Sequence, residues 1–204
     1  MIGGAVAFGA GGLYAVVLWM IADAAARRRN VHLGSLPWWL AVLAGTAAAV
    51  LHVVFAAADM PPLAAGLLGA FVAGVVDART GYIFDALTVA VALSAAAAAA
   101  ADGRLAAGAA AAACVGAGLA AVYIATRRRG IGLGDVKLGS ALAVGFGPAV
   151  GTVAIGSAFV LGAGYALILI ASGRAQRTDA LRFGPFIAGG AVTSLAADAL
   201  RWFA

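Results

Sequence analysis

The sequence predicts an all-α fold: a polytopic membrane helical bundle of about eight transmembrane helices (six to eight). Three observations predict it. First, 65% of the 204 residues are hydrophobic and only 10% are charged, against roughly 25% charged in a soluble domain; mean hydropathy is +1.06. Second, the apolar runs are continuous and rich in Ala, Leu, Val and Gly, where barrel strands would alternate apolar and polar residues. Third, the 29 glycines suit helices that approach closely through small residues, because lipid supplies no hydrophobic drive for their association. The chain reads as one integral-membrane domain over 1–204.

Eight hydrophobic segments follow in order, at about 3–25, 37–58, 61–76, 84–101, 105–125, 136–149, 151–171 and 184–203. The first has no basic stretch ahead of its apolar run and reads as a retained span rather than a cleaved signal. The third and sixth are short, which tilt and bilayer thinning accommodate. The uncharged stretch Leu138 to Gly173 has room for two spans, with Gly147-Pro148 as the turn between them. The bases set the orientation. Arg27, Arg28, Arg29, Arg79, Arg127, Arg128, Arg129, Lys137, Arg174, Arg177 and Arg182 fall in alternate loops, and only Arg104 and Arg201 fall on the other side. Basic loops mark the cytoplasmic face, so both termini are expected outside. The pI near 10.1 thus reflects topology, and no nucleic-acid partner is expected. Trp38, Trp39 and Trp202 read as interfacial anchors.

All eight acids are Asp. Asp59, Asp102 and Asp179 read as loop residues. Asp198 stands three positions from Arg201, and Asp23 lies among the arginines ending the first span, so both read as ion-pair members. Asp77, Asp85 and Asp135 remain. Carboxylates at membrane depth are costly and usually functional. Asp77 ends the inward-running third span and Asp135 opens the outward-running sixth, so both belong to the cytoplasmic face although 58 positions separate them. Two carboxylates held close cannot both ionise easily and titrate as a unit sharing a proton. Such a dyad can hydrolyse a peptide: the ionised member takes a proton from water while the protonated member polarises the scissile carbonyl. Gly132 and Gly134, lacking Cβ atoms, would let an extended substrate backbone approach Asp135 and would allow a helix break at the membrane edge. The structural alternatives are an N-cap role for Asp135, an Asp77–Arg79 pair, and an N-cap role for Asp85. Lys137 is either a snorkelling interfacial residue or a charge that tunes Asp135.

Gly132-Leu133-Gly134-Asp135 is a GxGD sequence, and Val136-Lys137-Leu138 follows it. With the upstream Asp77-Ala78-Arg79-Thr80 and the downstream Phe183-Gly184-Pro185, it resembles the type IV prepilin peptidase family of membrane aspartic proteases. Three ordered motifs carry the likeness over roughly 75–191, within a family-like core of about 60–204. The resemblance implies Asp77 and Asp135 as the catalytic pair, with Gly132, Gly134, Lys137, Arg79, Asp85, Gly184 and Pro185 in substrate-binding or supporting positions. It implies a type IV prepilin or pseudopilin as the substrate in the membrane, and cleavage of its leader at the cytoplasmic face of the plasma (inner) membrane. Phe84-Asp85 depart from the family's Pro-Asn. The cysteine-rich region associated with N-methylation is replaced by Arg27-Arg28-Arg29-Asn30-Val31-His32-Leu33-Gly34-Ser35-Leu36-Pro37-Trp38-Trp39, so a short form without methyltransferase activity is expected.

Rival readings are a presenilin-like intramembrane protease, a small proton- or cation-coupled transporter, and an inactive subunit of a pilus or secretion machine. The first would carry a Tyr-Asp and a Pro-Ala-Leu motif, whereas Val76 precedes Asp77 and no Pro-Ala-Leu occurs. No metal and no cofactor is expected: His32, His52 and Cys114 lie in separate segments, and the lone Cys114 permits no disulfide framework. Oligomeric state is left open by the sequence.

Overall fold

The structure is a computed structural model that describes residues 2–38, 40, 42, 46, 61–127, 130–177 and 179–201. Among these it delimits six helices and no strand. They are α1 (Ile2–Arg27), α2 (Pro61–Thr80), α3 (Asp85–Ala101), α4 (Leu105–Ala125), α5 (Leu133–Ala171) and α6 (Gly184–Arg201). Gly9–Arg27, Leu105–Ala125 and Leu133–Ala171 are long and apolar enough to cross a membrane. This is a helical membrane protein.

Six helical elements stand where eight segments were expected, for two reasons. The second segment falls almost wholly outside the described residues; only Trp38, Leu40, Val42 and Thr46 show helical backbone there. The sixth and seventh segments are joined as α5, whose backbone leaves helical geometry at Gly147 (φ 75°, ψ 178°) just before Pro148. That positive φ is open to glycine at little cost, and Pro148 has no N–H for a preceding turn to hold. The chain reverses at this point. A methyl group on Gly151 would stand 3.3 Å from Ala143 Cβ, and one on Gly139 would stand 3.1 Å from Ile155 Cδ1. In a straight helix these pairs would be about 12 and 24 Å apart along the axis. The two arms of α5 therefore run antiparallel, with the expected Gly147-Pro148 turn between them.

Other ends follow local rules. Pro61 occupies the first position of α2, where a missing N–H costs nothing. Gly81 closes α2 with φ 71° and donates its N–H to the Asp77 carbonyl at 2.7 Å. Phe84, in extended backbone, is the N-cap of α3 and offers no side-chain cap. Asp85 is thus the first helical residue rather than the cap.

The hairpin α5 is the centre of the bundle and packs against α2, α3, α4 and α6; α1 lies against α2 and α3. Small residues set these approaches. A methyl on Gly74 would stand 3.1 Å from Pro185 Cα. Gly108 lies directly against the Val144 carbonyl, and Gly190 against the Ala154 carbonyl and Ala158 amide. The buried side chains, among them Leu18, Val72, Leu87, Leu138 and Ile187, form one core. Large apolar side chains such as Leu13, Leu93, Val160 and Leu167 face outward, as lipid-facing positions must.

Candidate active site

Asp77 sits in the last turn of α2 and is only 6% exposed. Its Oδ2 accepts a hydrogen bond from the Gly184 N–H at 3.0 Å. Gly184 is the first residue of α6, and its N–H is one of the amides a helix leaves without an internal acceptor. The approach requires glycine: a methyl at Gly184 would stand 2.9 Å from both Cβ and Oδ2 of Asp77. On its other side, Gly184-Pro185 is seated against Gly74.

Asp135 sits in the first turn of the first arm of α5 and is 7% exposed. The N-cap is Gly132, not Asp135. Asp135 is the third helical residue, and its Oδ2 reaches back to accept the Gly132 N–H at 2.8 Å. This is one half of a capping box, since Gly132 has no side chain to return the bond. Its Oδ1 is buried without a hydrogen-bond partner among the described residues. A buried carboxyl oxygen without a partner is costly and rare, and here it leaves one oxygen free for chemistry.

The two aspartates lie at the same end of the bundle, close enough for the Asp77 charge to act on Asp135. Each is held through one oxygen by an amide at a helix N-terminus, α6 for Asp77 and α5 for Asp135, where the helix dipole favours negative charge. One cation completes the surroundings. The Arg182 guanidinium donates to the Ala78 carbonyl, and its charge acts on Asp77.

The remaining expected residues divide. Gly184 lies against Asp77, and Pro185 is seated against Gly74. Gly132 carries the amide that anchors Asp135. Gly134, expected to open a path for substrate, is filled from inside: a methyl there would stand 2.8 Å from Ile83 Cβ, so this glycine lets α5 close onto the 82–84 segment. Lys137 and Asp85 pair with one another at 2.7 Å on the exposed rim. Arg79 turns away from the carboxylates. It donates to the Leu33 and Ser35 carbonyls at 3.5 and 3.4 Å and lies 5.3 Å from the Trp19 ring centroid. It braces the 33–35 turn and forms no pair with Asp77.

Asp23 pairs with Arg27 at 2.7 Å, and Asp102 pairs with Arg104. Cys114 is exposed on α4, and no group of three potential metal ligands forms among the described residues. His52, Asp59, Trp39 and Trp202 lie outside the described residues, as do the side chains of Asp198 and Arg201. In the sequence Arg182 reads as a topology marker, and neither Gly74 nor Trp19 stands out. The signal for Arg182 was its place immediately before Phe183-Gly184-Pro185. Gly74 and Trp19 carried no signal apart from the fold.

The profile of the type IV leader peptidase family matches residues 64–167, just over half of the chain, and the matched region contains both Asp77 and Asp135. No curated protein and no solved structure matches the chain. A match of that extent, over the helices that carry both carboxylates, makes this helical membrane protein a member of the type IV leader peptidase family.

Proposed function

We propose that the protein is an aspartic endopeptidase that removes the leader peptide of type IV prepilins or pseudopilins, with Asp77 and Asp135 as its catalytic residues. One observation carries this reading: two buried carboxylates lie at the same bundle end, each anchored through a single oxygen, and Asp135 Oδ1 has no partner among the described residues. Asp77, backed by an amide and by Arg182, is the ionised member. Asp135 carries the shared proton. Asp77 removes a proton from water as its oxygen adds to the scissile carbonyl carbon, and Asp135 gives its proton to the developing oxyanion. On collapse of the tetrahedral intermediate the C=O re-forms as its hydroxyl returns a proton to Asp135, the C–N bond breaks, and the departing amine takes the proton that Asp77 removed.

The sidedness is supported by the bases. Arg79, Lys137 and Arg182 gather at the end that holds the aspartates, and Arg104 lies at the other end, 3.8 Å from where a methyl on Gly147 would stand. Such an asymmetry supports a reading in which the site faces the cytoplasm at the plasma membrane, in a single multi-pass domain of eight spans with both termini outside. A substrate helix lying in the bilayer would present its cytoplasmic end at the level of the dyad. The presence of one cysteine in the sequence supports the reading of a short form without N-methyltransferase activity.

The experiment is cleavage of candidate precursors by purified protein in detergent, with the product N-terminus mapped by mass spectrometry. Release of a basic leader by a single cut ahead of the hydrophobic segment is expected. Cutting within the hydrophobic segment, or no cutting of any precursor by folded protein, would overturn the assignment.

A further inference from the structure

Apart from the two site aspartates, the described acids at this end of the bundle are engaged: Asp23 with Arg27, Asp85 with Lys137, and Asp179 by the Gln176 N–H. Arg28 and Arg29, one turn beyond, have no carboxylate partner among the described residues; Arg29 lies over the Tyr82 ring at 5.9 Å. Both arginines line a cavity of about 410 Å³ between the end of α1 and the start of α3. Its floor is apolar, with Ile21, Ala25 and Phe84, and Asp85 at its rim is neutralised by Lys137.

Below the cavity the two helices present outward apolar stripes. On α1, Leu13, Val17, Met20 and Ala24 share the face that ends in Arg28, at helical spacings of three and four. Leu13 is 66% exposed and Met20 65%. On α3, Ala86, Val89 and Leu93 form the matching stripe, with Leu93 67% exposed. A pair of guanidiniums above an apolar channel has the form of an amphiphile site with an anionic head. Guanidinium forks suit phosphate oxygens, and basic pockets between membrane helices on the cytoplasmic side select anionic headgroups. A basic leader peptide is disfavoured here by its charge.

We propose that the cavity between α1 and α3 binds one anionic phospholipid, its phosphate held by Arg28 and Arg29 and its acyl chains laid along the two apolar stripes.

The test is native mass spectrometry of the full chain in detergent, titrated with phosphatidylglycerol or phosphatidylcholine of identical chains. Preferential retention of one phosphatidylglycerol is expected. Arg28→Gln/Arg29→Gln should weaken it by about 30-fold, taking about 1 kcal/mol for each basic residue. Arg174→Gln/Arg177→Gln, which removes the same charge from another loop, should leave it intact. Thermal unfolding confirms that each variant is folded, and Arg28→Lys/Arg29→Lys should keep most of the binding. Equal retention of both lipids, or equal loss in the two Gln double variants, would overturn the proposal. So would displacement of the lipid by inorganic phosphate at matched concentration, which would indicate a phosphate site without a lipid requirement.

Discussion

Gly184→Ala tests the geometry of the dyad without touching either carboxylate. The added methyl would lie 2.9 Å from Asp77 Cβ and Oδ2 and 3.2 Å from Cγ, short of ordinary contact by about half an ångström. Asp77 has little room to give way: it is 6% exposed, and the preceding Val76 is fully buried. The carboxylate must therefore swing away from the α6 terminus and lengthen its 3.0 Å bond to the Gly184 N–H. A hydrogen bond to a charged group contributes about 1.5–3 kcal/mol, and a reacting group displaced by about 1 Å can cost about 100-fold in rate. The expected outcome is a fall of about 10- to 100-fold in kcat for precursor cleavage, measured by initial rates at saturating substrate in detergent. Gly164→Ala is the control, because no heavy atom lies within 4 Å of the added methyl and alanine favours the helix by about 1 kcal/mol. Wild-type turnover by folded Gly184→Ala would refute the view that this contact positions Asp77.

Three further outcomes follow from the same contacts. Asp85→Asn removes a rim ion pair whose side chains are 65% and 44% exposed; such pairs contribute at most about 1 kcal/mol, so cleavage should stay within about twofold, and a tenfold loss would give Asp85 a role in the chemistry. Arg182→Gln should lower kcat by about fivefold with the fold retained, the charge-assisted bond being discounted for solvent exposure; an unchanged rate would show that its charge does not reach Asp77 in the working enzyme. Gly69→Ala places a methyl 2.7 Å from Val91 Cγ2, an overpacking cost of about 1–3 kcal/mol. Thermal unfolding should show a lower Tm that Val91→Ala partly restores, and failure of that rescue would count against the described α2–α3 contact.

The parts of the structure legible in the sequence were those written in local pattern. Continuous apolar runs located the helices, Gly147-Pro148 located the reversal in α5, and the scarcity of acids singled out Asp77 and Asp135. The parity of the spans was enough to put these two at one end, since each further crossing inverts the face on which a residue stands. What a side chain touches across helices was not legible. Arg79 follows Asp77 by two positions yet points to Leu33 and Ser35, because residues two apart on a helix face different directions. Gly134 reads as an open approach until Ile83 is brought against it. Gly184 was marked by its motif, but that its amide would anchor Asp77, 107 positions earlier, depends on α6 docking beside α2. By type and place Asp85 and Asp135 both suit a cap position. The caps fell instead to Phe84 and Gly132, which freed one carboxylate for Lys137 and the other for the site.

The account depends on the two aspartates acting together, and the cleavage rates of Asp77→Asn and Asp135→Asn, purified side by side with the parent protein, test that most directly. Asparagine keeps the shape and the acceptor oxygen but can neither take the proton from water nor deliver one, so each single variant should lose at least about a thousandfold in kcat, by analogy with the factors that general acid–base groups contribute, while unfolding near the parent temperature. Trimming of the precursor by either variant at a rate close to that of the parent would contradict the account.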